Sequence, residues 1–213
     1  MIEAVIFDMD GLLADTETIH AQSWIETFRE QSVELSMETY RQHWIRDGKG
    51  APDFIAQHSL KFDYKRLLDR KFEIFASLLS EMLRPMPGSN KLLEEIHAVV
   101  TMGLASGSRR LTLDLVLKAL NMNKYFHHTV AHEDVENPKP HPEGFLAIAE
   151  RLQVEPARCV VLEDAEKGVL AAHAAGMKCI AVPSEHTYDN DFSKAAVVVE
   201  SLEHLSWERI SDL

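Results

Sequence analysis

Short apolar runs recur along the chain and alternate with segments of helical periodicity. This alternation is typical of parallel strands joined by crossover helices, and nearly all-apolar strands indicate a sheet covered on both faces. The sequence therefore predicts a doubly wound α/β fold. The predicted strands are Ala4–Phe7, Val99–Ala105, Thr129–Ala131, Cys159–Leu162, Cys179–Val182 and Ala196–Val199. The predicted helices among them are Lys91–Ala98, Arg110–Asn121, Pro142–Leu152, Gly168–Ala175 and Leu202–Trp207.

Residues 16–82 break this alternation, because they contain only helical patterns rich in Trp, Phe and charged residues. The sequence predicts an α/β core domain from residues 1–15 and 83–213 and a helical insert of residues 16–82. An insert after the first strand is expected over the carboxyl ends of the strands, where open α/β sheets bind ligands. Its predicted helices are Ile19–Gln31, Met37–Trp44, Pro52–His58 and Tyr64–Leu79.

The chain carries a formal net charge of −12. This charge argues against nucleic acid as a partner, because no basic field would attract a phosphate backbone. We find no leader-like start and no apolar run approaching a membrane-spanning length, so we expect no membrane partner. Both cysteines, Cys159 and Cys179, lie in apolar runs and predict buried thiols rather than a disulfide framework. The simplest expectation is a cytoplasmic monomer.

Two carboxylates, Asp8 and Asp10, directly follow the first predicted strand. Anions at the rim of an apolar core are unfavourable unless a cation or hydrogen-bond donors compensate them. A divalent metal ion is the simplest compensator. A carboxylate beside a bound metal can also attack a substrate whose charge the metal has neutralised.

Three further polar elements follow later strands, and parallel strands bring such ends to one edge of the sheet. Together they offer acidic metal ligands, a hydroxyl beside backbone amides and one lysine, a set that suits a phosphoryl group. Each has a plainer interpretation when taken alone: a turn, a helix cap, a solvated loop lysine or an acidic first turn of a helix. The three elements are Ser106-Gly107-Ser108, Lys139 and Glu163-Asp164.

In this order, the elements resemble the four motifs of the haloacid dehalogenase superfamily, in the branch with a helical cap inserted after the first strand. The resemblance covers nearly the whole chain. Pro138 stands before the lysine of the third motif, where many relatives carry Gly, and it stiffens that loop. The matching residues are Asp8, Asp10, Gly11, Asp15, Thr16 and Glu17 in the first motif, Ser106 in the second, Lys139 in the third and Glu163 and Asp164 in the fourth.

The resemblance implies roles for the acidic residues. Asp8 would be the nucleophile that forms an aspartyl-phosphate, and Asp10 would be the general acid for the leaving group and then the base for water. Mg²⁺ would be held by Asp8, the backbone carbonyl of Asp10 and Asp164, with Glu163 in or behind this shell. Family members that dehalogenate lack the second aspartate, so Asp10 points to phosphoryl chemistry.

The resemblance also implies how the phosphoryl group is bound. Ser106, the amide of Gly107 and Lys139 would bind its oxygens. Lys139 would in addition shield Asp8 from the negative charge of the substrate.

The helical insert offers candidate substrate-binding residues. The turn from Arg46 to Gly50, which includes Lys49, resembles the substrate-specificity loop of such caps. Arg70 and Lys71 lie on a later helix and could reach an anionic substrate, although a solvated helix face explains them equally well. His20, one turn into the first helix of the insert, could also face the cleft.

We expect a Mg²⁺-dependent phosphatase for a small phosphate monoester, with a sugar phosphate as the expected substrate. The alternative is a phosphomutase resembling β-phosphoglucomutase. The pair Thr16-Glu17 looks more like capped phosphatases, since the mutases usually show Thr-Ala there. A non-catalytic phosphate-binding protein is a third possibility, against which the intact Asp8, Asp10 and Lys139 argue.

Overall fold

The computed structural model describes residues 1–213, and the chain forms two compact units. The sheet unit comprises Met1–Asp15 and Arg84–Leu213, and the helical unit comprises Thr16–Leu83. None of the helices combines the length and the apolar character that crossing a membrane would require.

The sheet unit contains one parallel six-stranded sheet in the order β3-β2-β1-β4-β5-β6, which confirms the predicted fold class. After β1, the strands β2 and β3 are added on one side of it, and β4, β5 and β6 are then added on the other side. The carboxyl end of β1 therefore lies at the topological switch point, where open α/β sheets bind ligands. The strands are β1 (Ala4–Phe7), β2 (Thr101–Ala105), β3 (His128–Val130), β4 (Cys159–Glu163), β5 (Lys178–Ala181) and β6 (Val197–Val198).

Apolar side chains hold the helices of this unit against the sheet. Ile6 of β1 and Val161 of β4 are fully buried and pack in one cluster with Phe145 and Val169 from two helices. Both cysteines are buried and free, as predicted. The helices of the sheet unit are α5 (Ser89–Ile96), α6 (Arg110–Ala119), α7 (Glu143–Leu152), α8 (Glu166–Ala174) and α9 (Trp207–Ser211).

The predicted helix Leu202–Trp207 is wrong. The chain instead forms a 3₁₀ turn at Leu202–His204 and then begins α9 at Trp207. Two serine hydroxyls cause the break, because each caps a new turn: Ser201 accepts from the amide of Glu203 and Ser206 accepts from that of Arg209.

The helical unit contains four α-helices around an aromatic core. Trp24, Phe28, Trp44 and Phe54 contact one another with ring centroids 5.0–6.5 Å apart. The predicted helical segment Met37–Trp44 is helical throughout, but from Arg41 onward it is a π-helix rather than an α-helix. The elements are α1 (Glu17–Glu30), α2 (Met37–Tyr40), the π-helix Arg41–Arg46, α3 (Ala51–Gln57) and α4 (Tyr64–Met82).

Candidate active site

The loop after β1 presents Asp8 and Asp10 at the carboxyl edge of the sheet. The amide of Asp8 still pairs with Leu162 of β4, so its side chain begins at a fixed point of the sheet. The chain then turns sharply through Gly11, whose φ is +81°. A side chain at Gly11 would collide with the carboxylate of Asp164, so glycine is required here by both backbone conformation and space.

Lys139 connects the ends of three strands. Its ammonium lies 2.5 Å from Asp8 Oδ1, 2.5 Å from Glu163 Oε1 and 3.0 Å from the carbonyl of Ala105. The three hydrogens of the ammonium thus have three acceptors, and the side chain is mostly buried. The loop after β3 therefore places a fixed positive charge beside the proposed nucleophile.

Glu163 ends β4 and is buried against the start of α8. Its second oxygen, Oε2, accepts from the amide of Ala165 at 3.1 Å. A side chain at Gly168 would overlap the Glu163 carboxylate, so the small residue on α8 makes room for this acid. Both oxygens of Glu163 are therefore engaged by the protein, one of them by Lys139.

Ser106 follows β2 and faces the loop after β1. Its amide donates to Val130 of β3 at 3.0 Å, and its hydroxyl donates to Asp10 Oδ2 at 2.8 Å. Ser108 donates to the same oxygen at 2.9 Å. A Cβ at Gly107 would meet no atom within 4 Å, so the backbone between the two serines borders open space.

The structure thus gathers the predicted residues of the sheet unit, including Ser108 of the predicted Ser106-Gly107-Ser108 element, which donates to Asp10. Two residues that matter here were not predicted: Ser184 and Thr187, in the loop after β5, donate to Asp164 Oδ2. The available signal for them was their position, since they are short polar residues within a few residues of the end of a strand.

The predicted cations of the helical unit lie on separate elements. Arg46 ends the π-helix, and Lys49, in the following turn, lies 3.3 Å from Asp47. The buried ring of His43 bonds the carbonyl of Gly50, and its own carbonyl accepts from the amide of Lys49. One buried residue therefore holds the carboxyl end of this turn through two hydrogen bonds.

Lys71 and Arg70 have different surroundings on α4. The ammonium of Lys71 lies 2.5 Å from His20 Nδ1 on α1 and 4.8 Å from the ring centroid of Phe75. Arg70 instead binds both oxygens of Glu30, at 2.7 and 2.8 Å. The suggestion that Arg70 reaches a substrate is therefore not supported, because its guanidinium is committed to a carboxylate of the same unit.

A family model described as a haloacid dehalogenase-like hydrolase matches residues 2–176. The chain belongs to the haloacid dehalogenase-like hydrolases. Fructose-1-phosphate phosphatase YqaB of Escherichia coli is 31% identical to it, over 84% of this chain and 95% of the relative.

Two solved structures resemble this haloacid dehalogenase-like hydrolase along nearly its whole length. CbbY from Rhodobacter sphaeroides in complex with phosphate has a TM-score of 0.87 at 28% identity and covers 97% of both chains. β-Phosphoglucomutase from Clostridium difficile has a TM-score of 0.84 at 28% identity, covering all of this chain and 96% of its own.

The acidic residues of this hydrolase carry more negative charge than the protein itself balances. Burial raises the pKa of Asp8 to about 7 against the opposing charge of Lys139, and the carboxylates of Glu163 and Asp10 raise it further. Burial alone would lower the pKa of Lys139, but the charges of Asp8 and Glu163 raise it above its usual value. The lysine therefore stays charged, while Asp8 lacks full compensation.

The donor set fits an oxygen-seeking divalent cation. Ligand oxygens of Asp8, Glu163 and Asp164 all lie within 4.8 Å of one another, and all three residues are buried. Carboxylate oxygens are the ligands that Mg²⁺ prefers, and a divalent charge would balance acids that Lys139 alone does not.

Proposed function

We propose that this haloacid dehalogenase-like hydrolase is a Mg²⁺-dependent phosphatase that hydrolyses a small sugar phosphate. The observation that carries the proposal is the meeting of three strand ends around Lys139, which bonds Asp8 and Glu163, with Ser106 bonded to Asp10. This arrangement offers a nucleophile, an acid/base group and phosphoryl-binding donors at one edge of the sheet.

In the first step, an oxygen of Asp8 forms a bond to phosphorus, and the bond from phosphorus to the sugar oxygen breaks. Asp10 donates a proton to that leaving oxygen, so that an alcohol departs. Ser106, the amide of Gly107 and Lys139 hold the phosphoryl oxygens during the transfer. Lys139 also reduces the repulsion between Asp8 and the anionic substrate.

In the second step, the phosphoryl group leaves Asp8. Asp10, now a carboxylate, accepts a proton from a water molecule whose oxygen bonds to phosphorus. The bond from phosphorus to Asp8 breaks, inorganic phosphate forms, and the aspartate returns to its starting state.

The residues proposed to hold Mg²⁺ are Asp8, Asp10 through its backbone carbonyl, and Asp164, with Glu163 in or behind this shell. When bound, Mg²⁺ would neutralise charge on the phosphoryl group and on the carboxylates. Glu163 acts in addition through Lys139, which it holds beside Asp8.

We assign the choice of substrate to the helical unit. Arg46, Lys49 and Lys71 are its proposed substrate-binding cations, and the unit is proposed to act as a cap that excludes water during the transfer. The expected substrate class follows the Escherichia coli relative, whose name gives fructose 1-phosphate. A small phosphorylated metabolite is thus the proposed partner, for a monomer that binds neither nucleic acid nor membranes.

A phosphomutase is the second candidate, because β-phosphoglucomutase has a TM-score of 0.84 with this chain. The two reactions share the first step and differ in the acceptor. Water accepts the phosphoryl group in the phosphatase, and a second hydroxyl of a sugar phosphate accepts it in the mutase.

A panel of sugar phosphates, including fructose 1-phosphate, separates the candidates. Release of inorganic phosphate with Mg²⁺, abolished by chelator and by Asp8→Asn, supports the phosphatase. Isomerised sugar phosphate that appears only with a bisphosphate primer supports the mutase. Phosphate binding without either product would instead support a non-catalytic role.

A further inference from the structure

The loop after β5 holds two buried hydroxyls against Asp164. Ser184 Oγ lies 3.1 Å and Thr187 Oγ1 lies 3.4 Å from Asp164 Oδ2. Ser184, Thr187 and Asp164 are all 5–7% exposed. Buried hydroxyls are placed by the bonds they make, so this cluster is a built contact rather than a chance approach of surface groups.

The hydrogen-bond pattern directs these hydroxyls toward the acid. The amide of Ser184 donates to Thr187 Oγ1 at 3.0 Å, and the amide of His186 donates to Ser184 Oγ at 3.3 Å. Each hydroxyl therefore already accepts a hydrogen, and its own proton is left to donate. The two hydroxyls also lie 3.1 Å apart, so even if one donates to the other, a proton remains for Asp164.

The loop itself is tied to the helix that follows Asp164. The amide of Glu166 donates to Asn190 Oδ1 at 3.1 Å, and the amide of Asp191 donates to Glu166 Oε2 at 3.3 Å. On the other side, Gly11 approaches Asp164 too closely for any side chain. The carboxylate is thus confined between the loop after β1 and the loop after β5.

We propose that Ser184 and Thr187 are positioning residues that orient the Asp164 carboxylate for Mg²⁺. The proposal rests on the proposed function, in which Asp164 is a metal ligand. Both hydroxyls bind the same oxygen, Oδ2, which fixes the rotation of the carboxylate and stabilises its ionised form. Such outer partners of ligating carboxylates change metal affinity about 10–100-fold when they are removed.

The test measures Mg²⁺ binding by titration calorimetry, without substrate, for the wild type, Ser184→Ala, Thr187→Val and the double variant. We expect the double variant to bind Mg²⁺ about 10–100-fold more weakly, and each single variant to lie between it and the wild type. At saturating Mg²⁺ its KM for the sugar phosphate stays within about twofold of the wild type, because the substrate contacts are unchanged.

Two control variants, Thr187→Ser and Ser193→Ala, separate a positioning role from general damage to the loop. Thr187→Ser keeps the hydroxyl and should restore wild-type Mg²⁺ affinity, whereas Thr187→Val keeps the shape and should not. Ser193→Ala changes an exposed serine of the same loop and should leave Mg²⁺ affinity unchanged. Circular dichroism checks folding, and if the double variant unfolds, the Thr187→Val and Thr187→Ser pair decides the question.

The outcomes distinguish this inference from the proposed function. If the wild type binds Mg²⁺ and Asp164→Asn does not, but Thr187→Val and Ser184→Ala bind it as the wild type does, the positioning role is wrong and the proposed function stands. If the wild type neither binds Mg²⁺ nor releases phosphate from any sugar phosphate, the proposed function fails, and the positioning role fails with it.

Discussion

One candidate lysine of the sheet unit and one of the helical unit are held in opposite ways. In the sheet unit, Lys139 is 12% exposed at its side chain and bonds residues from other strands. In the helical unit, Lys49 is 50% exposed and pairs with Asp47, two residues away. The sheet unit thus fixes Lys139 through contacts between distant parts of the chain, while the helical unit carries Lys49 on a local segment. Residues on such a local segment can be substituted without disturbing the carboxyl edge of the sheet, where the chemistry is proposed.

The largest effect is expected at Asp8, because the proposed reaction has no other nucleophile. Asp8→Asn should lower kcat by about 10³-fold or more and leave the fold intact. Steady-state phosphate release, with circular dichroism as the control for folding, checks this outcome. Near-normal turnover would remove Asp8 from the mechanism and the sheet unit from its central role.

Lys139→Met should damage both activity and stability, because it leaves Asp8 and Glu163 buried beside each other without their shared cation. We expect kcat to fall by about 10²-fold or more and the free energy of unfolding to fall by about 3 kcal/mol. Phosphate release and urea denaturation measure the two effects. Lys118→Met, at an exposed position on α6, is the control and should change neither.

A pair of helix glycines tests how tightly the sheet unit packs its acids. Gly168→Ala should lower the free energy of unfolding by about 1–3 kcal/mol, because the new methyl group overlaps Glu163. Gly144→Ala, on α7, meets no atom closer than 3.9 Å and should raise stability by up to about 1 kcal/mol. Equal effects in urea denaturation would show that Glu163 is free to move.

The smallest effects are expected in the helical unit. Lys49→Ala and Lys71→Met should raise KM several-fold, by about 1 kcal/mol of binding, with little change in kcat. Arg70→Met should leave KM unchanged, because Arg70 is bound to Glu30. A KM effect of Arg70→Met that matches Lys71→Met would contradict the distinction between these neighbours.

Much of the fold follows from local pattern. The apolar runs locate all six strands to within a few residues, since a buried strand must be apolar on both faces. Periodicity wrongly predicted one helix at Leu202–Trp207, because Ser201 and Ser206 start two separate turns there. The π-helix Arg41–Arg46 was not distinguished from an α-helix, because its side-chain pattern fits both.

Part of the candidate site could be predicted from the sequence, and part could not. Its acids and Ser106 stand at or just beyond strand ends, and Lys139 lies in the loop after β3, so the parallel order of the sheet brings them together. The loop residues Ser184 and Thr187 carry no such signal beyond their position, because short polar residues after a strand are ordinary in turns. The partner of Arg70, Glu30, lies 40 residues away, and only the packing of α1 against α4 reveals it.

The aspartyl-phosphate on Asp8 is tested by stopping the reaction with a sugar phosphate during turnover and locating the phosphoryl group by mass spectrometry. We expect a hydroxylamine-sensitive phosphoryl group on Asp8, absent from Asp8→Asn and from enzyme treated with chelator. Release of phosphate with no phosphorylated aspartate, or with the phosphoryl group on another residue, would contradict the proposed role of Asp8.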